Sequence, residues 1–309
     1  MPLKQTKYIW FNDKLVPWED ATIHVLTYAL HYGSAVFEGI RAYKTDDGCK
    51  IFRLDEHIKR LINSAKIYRM NIPYSHDQLK NACRTIVSSN GLRDGAYIRP
   101  IAFRGYDDLG LHAHSDDDIE VAVAAWEWGT YLGNDALKNG VDVCVSSWNK
   151  IAPNTIPVLA KASGNYLSGT LVTMEARQNG YDEGILLDSK GMVSEGAGEN
   201  IFMVKDGNLY TPPLSASIVD GITRDAVIKI AGSLKLSTIE TEIPREQLYI
   251  ADELFFTGTA VEITPIRSVD RITIGTGAKG PVTSKIQKAF FGLFDGSTED
   301  SWGWLEPVE

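Results

Sequence analysis

The sequence predicts an α+β fold built as two domains. Its 309 residues exceed the roughly 100 to 200 residues of a usual single domain. Hydrophobic residues make up 44% and charged residues 23% of the chain, as in ordinary soluble globular proteins, which excludes a collagen-like, coiled-coil or wholly disordered chain. Strand-like and helix-like stretches are mixed without strict alternation, and this mixture favours an α+β over an α/β architecture.

The first half of the chain predicts a hairpin, two helices and a run of strands. The hairpin is expected over 8–16. Apolar residues at helical spacing from Ile58 onward predict the first helix, with Asp55 as its cap, and a capping-box pattern beginning at Ser75 opens the second. Strands are then predicted over 96–103, 119–126 and 141–147.

The second half begins with a predicted helix over 165–178. Its apolar positions are Leu167, Leu171 and Met174, and Gly180 is expected to end it. Short strands are predicted over 184–188, 200–204, 253–257 and 263–269, and further helices after Thr223 and around Ile286.

The domain boundary is expected near the middle of the chain. The stretch from Trp128 to Gly133 lies between two strand patterns and indicates a linker. We therefore predict a small N-terminal α+β domain over 1–129, an interdomain linker over 130–138 and a large C-terminal α+β domain over 139–309.

Charge and composition exclude several classes of protein. The formal net charge is −9, so a nucleic-acid or membrane partner is not expected, although a local pocket can still attract a small anion. No signal-peptide core and no apolar run of about 18 residues occurs. Three cysteines without a C-x-x-C pair argue against a disulfide framework and a zinc ribbon. We expect a cytoplasmic protein without a metal site.

Three familiar motifs do not predict a site in this chain. Gly275–Gly280 satisfies G-x-G-x-x-G, but only one predicted helix and a tail follow, so a glycine-rich turn is favoured over a dinucleotide site. No serine lies in a G-x-S-x-G elbow. His112 and His114 belong to an acidic loop and predict a surface pair rather than a metal site.

Lys161 is the first residue with a chemical signal. It is the one charged residue in the stretch 151–174. Such a lysine either extends its amine to solvent along an apolar surface or lies in a dry pocket. By itself the first alternative is favoured. In the second, desolvation lowers the pKa of the amine and makes it available for Schiff-base formation.

Three further segments complete a set of weak signals. Glu195 and Glu199 stand among small residues ahead of a strand, as solvated acids or as partners of a cationic ring nitrogen. Gly221–Arg224 opens a helix, whose N–H groups favour a phosphate unless Thr223 simply caps it. The turn 257–260 is either an anion-holding loop or a plain turn. With Lys161, these segments supply the parts of a pyridoxal 5'-phosphate site.

Four segments then carry a family resemblance over almost the whole chain. They are 31–41 (HYGSAVFEGIR), 147–157 (SWNKIAPNTIP), 194–200 (SEGAGEN) and 258–260 (GTA). In this order they resemble the branched-chain amino acid aminotransferases, pyridoxal-phosphate enzymes of fold type IV. The resemblance implies a two-domain subunit with the cofactor in the interdomain cleft.

The resemblance also assigns roles to residues around the cofactor. It implies that Lys161 forms the Schiff base and is the catalytic residue that moves the proton. Glu195 would face the pyridine nitrogen and Tyr166 the phenolic oxygen of the ring. The phosphate would be bound by Arg60, Ile222, Thr223 and Thr259.

Substrate residues follow from the same resemblance. The α-carboxylate would be bound by Tyr97 and the Thr259–Ala260 turn. Arg99, with Tyr32 from a neighbouring subunit, would accept the second carboxylate of glutamate. The aliphatic pocket would be lined by Phe37, Trp128 and Tyr131.

The implied reaction is reversible ping-pong transfer of an amino group. L-leucine, L-isoleucine or L-valine would donate to 2-oxoglutarate, giving branched-chain 2-oxo acids and L-glutamate, in a homodimer at least, with a hexamer as the larger alternative. The loop 105–118 and the segment 217–220 depart from the family pattern.

Within the fold, the alternative functions are those of a D-amino acid aminotransferase and an aminodeoxychorismate lyase. A nicotinamide-dependent oxidoreductase or a non-catalytic binding protein would belong to other classes.

Overall fold

The computed structural model describes residues 4–106, 110–111, 118–129, 132 and 135–309, and these residues form the predicted α+β fold. The helices are α1 (Tyr28–Tyr32), α2 (Leu54–Ile67), α3 (His76–Ser89), α4 (Ala136–Asn139), α5 (Tyr166–Gln178), α6 (Ile222–Ser233), α7 (Arg245–Tyr249) and α8 (Pro281–Asp295). Short 3₁₀ turns lie at Trp18–Asp20, Ser163–Asn165 and Leu214–Ala216.

The strands form two separate sheets. They are β1 (Tyr8–Phe11), β2 (Lys14–Pro17), β3 (Ala35–Phe37), β4 (Ile40–Thr45), β5 (Gly48–Phe52), β6 (Gly95–Arg104), β7 (Ile119–Trp126), β8 (Val141–Val145), β9 (Glu183–Leu187), β10 (Val193–Gly196), β11 (Asn200–Lys205), β12 (Asn208–Thr211), β13 (Thr238–Glu240), β14 (Glu253–Gly258), β15 (Glu262–Val269), β16 (Ile272–Thr273) and β17 (Leu305–Pro307).

The chain divides into two compact units. The first unit contains the residues of 1–129, Ala160–Gly164 and Phe294–Glu309, and the second contains 130–159 and 165–293. The division predicted from the sequence did not assign the short segment around Lys161 or the C-terminal segment to the first unit. The predicted linker over 130–138 falls partly outside the described residues.

The first unit is an antiparallel sheet with helices α2 and α3. Its strand order is β17-β5-β4-β6-β7-β1-β2, and β3 pairs with β6. The predicted hairpin is confirmed, with Phe11 opposite Lys14. The apolar residues predicted for α2 are buried, since Ile58 and Leu61 are 0% exposed, and the capping box at Ser75 is present at the start of α3. Burial of this apolar side fixes the two helices in the core of the unit.

The predicted cap of α2 is wrong. Arg53, not Asp55, precedes the helix, in a left-handed backbone conformation with φ of 53°. The Arg53 N–H donates to the Trp304 carbonyl at 2.7 Å, so a contact with the C-terminal segment turns the chain at this point. Asp55 lies inside the first turn, where its carboxylate is near the positive end of the helix dipole and accepts from Lys80.

The second unit is built on a mixed sheet. Its strand order is β10-β9-β8-β15-β14-β11-β12-β13, with β16 beside β15. Pairs β8–β9, β8–β15 and β12–β13 are parallel. The glycine-rich stretch 275–280 follows β16, which runs antiparallel to β15, and leads into α8. Among the described residues of this unit no strand follows α8, so the rejection of a dinucleotide-binding βαβ unit is confirmed.

Helix α5 buries the opposite side from the one that its apolar residues indicate. Leu167 and Met174 are 70% and 62% exposed, and Leu171 is 41% exposed. The buried residues are small or branched: Gly169, Val172 and Ala176. A Cβ on Gly169 would lie 2.3 Å from the Ala197 carbonyl oxygen. The helix can therefore pack this closely against the segment that contains Ala197 only through a side that has no large residues. The sequence located the helix but gave the wrong buried side.

No helix of the described residues is long and apolar enough to cross a membrane. No group of three or more histidine, cysteine or acidic side chains that could hold a metal ion occurs in the described part of the chain.

Candidate functional site

Lys161 lies in a short segment that is fixed by the first unit. Its carbonyl accepts from the Phe37 N–H at 3.0 Å, and its own N–H donates to Ser64 Oγ of α2 at 3.0 Å. The next residue, Ala162, forms an antiparallel bridge with Val36 of β3. Backbone contacts on both sides therefore set the position of the lysine side chain.

The Lys161 amine lies in surroundings that disfavour its charge. The residue is only partly exposed, and its Nζ lies over the Phe37 ring, 5.0 Å from the centroid, a contact that favours the charge and so does not explain a lowered pKa. Burial lowers the pKa of Lys161 to about 8, the positive charge of Arg60 acts in the same direction, and the nearby Glu38 carboxylate opposes both. The structure therefore favours the dry pocket over the solvent-directed alternative.

Arg60 is bound by a carboxylate that the sequence did not single out. Its Nε and Nη2 donate to the two oxygens of Glu38 at 2.6 and 2.8 Å, and Nδ1 of His57 lies 2.7 Å from Oε2. Glu38 is 0% exposed. Burial opposes its ionisation, but the adjacent Arg60 and His57 outweigh burial and hold the pKa of Glu38 well below its usual range. Glu38 follows the stretch 21–37, which lacks acidic residues, lysine and arginine, and this was the available signal for a buried charge.

Four predicted substrate residues meet in the same unit. Arg99 Nη2 donates to the Tyr97 hydroxyl at 3.2 Å, and the Arg99 guanidinium carbon lies 4.8 Å from the Phe37 ring centroid. The rings of Tyr97 and Trp128 are stacked with centroids 4.3 Å apart. Arg99 Nε is buried without a hydrogen-bond partner among the described residues. An aromatic surface with a cationic edge can bind an aliphatic chain or a carboxylate.

Of the other substrate residues predicted for the first half of the chain, the structure describes Tyr32 but not Tyr131. Tyr32 is the last residue of α1, is 44% exposed and packs its ring 4.5 Å from that of Tyr28. Tyr131 lies outside the described residues, as do 107–109 and 112–117 of the atypical loop, with both of its histidines.

The second unit holds Glu195 in a fixed position. Glu195 lies on β10 and is 4% exposed. One carboxylate oxygen accepts from Lys150 Nζ, and the other accepts from Asn200 Nδ2 and the Val219 N–H, both at 3.0 Å. The segment 217–220, which departs from the family pattern, thus supplies one donor through its backbone. Lys150 and Asn200 were missed by sequence reasoning because both partners come from other elements.

Glu199, the second acid of this segment, has a different environment. Its Oε2 accepts from the Gly198 N–H at 2.7 Å, while Oε1 is buried without a hydrogen-bond partner among the described residues. Burial raises the pKa of Glu199 well above its usual range, and the neighbouring Glu183 carboxylate adds to the rise. The two acids therefore differ: Glu195 accepts hydrogen bonds on both carboxylate oxygens, whereas Glu199 does so on one oxygen only among the described residues.

Tyr166 begins α5 and lies beside the same segment. A Cβ built on Gly198 would be 4.0 Å from Tyr166 Cε1, which indicates that the ring passes close to this glycine. The tyrosine is partly exposed. Its phenol can therefore donate to a ligand atom while the body of the ring packs on the small residues of the segment.

The predicted phosphate residues lie at two turns of the second unit. The residue at the N-cap position of α6 is Gly221, and no side chain caps this end of the helix. Thr223 is the second residue inside the helix and is therefore not the cap. A Cβ on Gly221 would lie 1.9 Å from Asn200 Oδ1, which restricts the position to glycine. Thr259 and Ala260 form the partly exposed turn after β14. The nearby Thr257 Oγ1 is buried without a hydrogen-bond partner among the described residues.

These residues fit pyridoxal 5'-phosphate by their chemistry. The first unit supplies an amine with a lowered pKa and an arginine held by a carboxylate. The second supplies a carboxylate fixed by three donors and the N-terminus of α6 without a side-chain cap. The amine can react with the aldehyde of the cofactor, and the fixed carboxylate can pair with its pyridine nitrogen. The arginine and the helix N-terminus are groups that bind a phosphate.

Comparisons with known proteins agree across the chain. The family described as amino-transferase class IV matches residues 35–269. The branched-chain-amino-acid aminotransferase of Salmonella typhimurium (strain LT2) is 56% identical over 308 residues, which are 100% of this chain and 99% of the relative. The crystal structure of the Escherichia coli branched-chain amino acid aminotransferase has a TM-score of 0.97 at 55% identity, covering 99% of this chain and 100% of that one.

A third relative, the branched-chain amino acid aminotransferase designated T.th., has been solved with ligands. Its complex with N-(5'-phosphopyridoxyl)-L-glutamate has a TM-score of 0.93 at 44% identity, covering 99% of both chains. The same T.th. protein has also been solved with 4-methylvaleric acid.

Proposed function

The chain belongs to the class IV aminotransferase family and is a branched-chain-amino-acid transaminase of fold type IV, and from this premise we propose its substrates, cofactor and site residues. The proposed reaction is reversible ping-pong transfer of the amino group of L-leucine, L-isoleucine or L-valine to 2-oxoglutarate. The products are the branched-chain 2-oxo acids and L-glutamate. The ligands of the T.th. relative support both substrate classes, since one contains glutamate and the other is a branched aliphatic acid.

The proposed cofactor is pyridoxal 5'-phosphate. When bound, it supplies a ring that withdraws electrons from the substrate Cα. Lys161 is the proposed catalytic residue, because a partly buried amine with a pKa of about 8 is neutral often enough at physiological pH to accept the Cα proton. Glu195 would hold the ring nitrogen in its protonated form, and Tyr166 would donate to the phenolic oxygen. The phosphate would be bound by Arg60, Ile222, Thr223 and Thr259.

The substrate pocket must accept two kinds of side chain in turn. Phe37 and Trp128 offer apolar surface, to which we add Tyr131 from the resemblance, and the Arg99 guanidinium beside Phe37 offers a partner for the distal carboxylate of glutamate. Tyr97 and the Thr259–Ala260 turn would bind the α-carboxylate. In this proposal one surface serves both half-reactions, with the arginine engaged in only one of them.

The proposal depends chiefly on Lys161, because hydrogen bonds of its backbone fix its position and burial lowers the pKa of its amine. The test is reconstitution of the purified protein with pyridoxal 5'-phosphate. A visible absorption band should form, and borohydride should bleach it and fix the label on the peptide that contains Lys161. The Lys161→Ala variant should lose the band and the transfer activity, whereas Lys190→Ala, at a solvent-exposed position, is the control that should keep both. No band in the wild-type protein, or a label on another lysine, would overturn the assignment.

Substrate choice needs a separate experiment. Arg99→Leu should reduce kcat/KM for L-glutamate by about 100-fold, the loss of a charge-assisted pair, and change that for L-leucine by less than about threefold. Equal losses for both amino acids would show that Arg99 does not select the distal carboxylate. Turnover of D-alanine without turnover of L-leucine would replace the branched-chain assignment with the D-amino acid rival.

We also propose that the chain works as a homodimer at least, with a hexamer as the larger alternative. Val25 and Leu30 near the exposed Tyr32 are 70% and 60% exposed, and the apolar side of α5 is exposed as well. Exposed apolar groups in such numbers favour a subunit interface. Light scattering on the purified protein tests this, and a monomer at micromolar concentration would overturn it. The three free thiols, of which Cys83 and Cys144 are buried, support the cytoplasm as the compartment.

A further inference from the structure

We propose that Glu38 is a positioning residue for the phosphate of the cofactor: it acts by fixing the plane and direction of the Arg60 guanidinium. This inference rests on the proposed role of Arg60 and adds to it a residue that does not itself contact the cofactor. The geometry that points to it is a two-bond contact between a buried carboxylate and the guanidinium, with the carboxylate itself held in place by further donors.

The contact between the two side chains is directional. Arg60 donates from Nε and Nη2 to separate oxygens of Glu38, at 2.6 and 2.8 Å. Two parallel bonds of this kind fix both the distance and the plane of a guanidinium, which a single bond does not. The arginine side chain is 15% exposed, so little room remains for other orientations.

Other groups in turn hold Glu38. Because an ionised carboxylate can only accept hydrogen bonds, Nδ1–H of His57 donates to it, at 2.7 Å, and the Gly39 N–H donates at 3.3 Å. The Glu38 N–H donates to the Pro100 carbonyl at 2.9 Å. Hydrogen bonds therefore fix both the backbone and the carboxylate of Glu38, and the fixed carboxylate restricts the orientation of the Arg60 guanidinium.

The side-chain length of glutamate is the part of this arrangement that can be tested. Glu38→Asp keeps the charge but shortens the side chain by one C–C bond, about 1.5 Å, so that the carboxylate no longer reaches Arg60 and His57 together. The matched control is Glu56→Asp. Glu56 lies on the same helix as Arg60 and accepts from Nε of another arginine, Arg53, at 2.7 Å, but no role in the site is proposed for it.

The measurement is the affinity of the apoprotein for two aldehydes. Pyridoxal 5'-phosphate reports on the phosphate contact, and pyridoxal, which lacks the phosphate, is the internal reference. Glu38→Asp should weaken binding of the phosphorylated aldehyde about tenfold, or about 1.4 kcal/mol, and that of pyridoxal less than threefold. Glu56→Asp should change neither. A residue that only supports the local fold would weaken both aldehydes alike.

A double-mutant cycle with Arg60→Lys separates this inference from the proposed function. Lysine keeps the charge but lacks the planar pair of donors, so Glu38→Asp should have less than a threefold further effect in that background. If Arg60→Lys by itself leaves the preference for the phosphorylated aldehyde unchanged, the proposed role of Arg60 is wrong. If Arg60→Lys lowers that preference and Glu38→Asp does not, only the present inference is wrong.

Folding is checked by thermal unfolding of each apoprotein. Glu38→Asp should unfold within a few degrees of the Glu56→Asp control. A Glu38→Asp protein that does not fold would also overturn the inference, because the carboxylate would then serve the core of the unit and not the position of Arg60.

Discussion

The Lys161 amine should react at neutral pH in the protein without cofactor. Its pKa is lowered from the ordinary 10.5 to about 8, chiefly by burial and also by the positive charge of Arg60. At pH 7.5 about a quarter of such amines are neutral, against about one in a thousand for an ordinary lysine, so the reactive fraction rises roughly 200-fold. Only the neutral amine attacks an electrophile, so the pH at which labelling of Lys161 becomes half-maximal should fall to about 8.

Competitive labelling of the apoprotein measures this directly. A trace of acetic anhydride is added at pH values from 6 to 11, and the acetylated fraction at each lysine is read by mass spectrometry. Lys161 should reach half its maximal rate near pH 8. Lys44 is the internal control, since its hydrogen bond to Asp94 raises the pKa of this exposed amine above 10.5. The same midpoint for both lysines would refute the argument from burial.

The direction of this shift also sets a pH dependence of stability. Because the pKa of Lys161 is lower in the folded than in the unfolded chain, the unfolded chain binds more protons between about pH 8 and 10.5. The contribution of this group to the free energy of unfolding therefore rises with pH through that window. A Lys161→Met variant should lose this rise. Urea unfolding of the wild-type and variant apoproteins at pH 7.5 and 10 measures the difference, and an equal change of stability with pH in the two proteins would contradict the prediction.

Three further predictions concern packing and helix ends. Gly221→Ala should weaken binding of pyridoxal 5'-phosphate at least tenfold, because the added Cβ would meet Asn200. The control is Gly232→Ala inside α6, where the added Cβ meets open space and binding should not change. Fluorescence titration of the cofactor compares the two variants. Phe202→Ala, in a fully buried side chain stacked on another ring, should cost about 3–5 kcal/mol in urea unfolding, while Ile250→Ala at a 64% exposed position stays within about 0.5 kcal/mol. Ser75→Ala removes the capping box of α3 and should cost about 1 kcal/mol by the same measurement, and an unchanged midpoint would contradict a stabilising cap.

Local patterns in the chain were sufficient for much of the fold. The hairpin at β1 and β2, the buried side of α2 and the capping box at Ser75 depend on residues within a few positions of one another, and all three were predicted correctly. The cap of α2 was not, because the chain turns at Arg53 through a bond to Trp304 near the other end of the chain. A local rule has no access to such a partner.

The candidate site divides in the same way. Lys161 was notable in the sequence as an isolated charge in an uncharged stretch, but the residues alone favoured a solvent-directed amine, and the lowered pKa supports the dry pocket instead. Local composition did not distinguish Glu195 from Glu199; the family resemblance selected Glu195, and in the structure Glu195 accepts from Lys150, Asn200 and the Val219 N–H. Glu38 was quoted within a family segment without a role, because its partner Arg60 comes from a helix that folds beside it.

The sequence by itself determined the longer helices, the first hairpin, several of the strands and the family that the chain resembles, since these depend on the order and spacing of residues. The tertiary structure alone decided which side of α5 is buried and which charges meet. Periodicity shows that a helix has two unlike sides, but Gly169 and Ala176, and not the larger leucines, permit the close approach to the rest of the second unit. Likewise a charge is stabilised by the group that packing brings within about 3 Å, and that neighbour is a property of the fold.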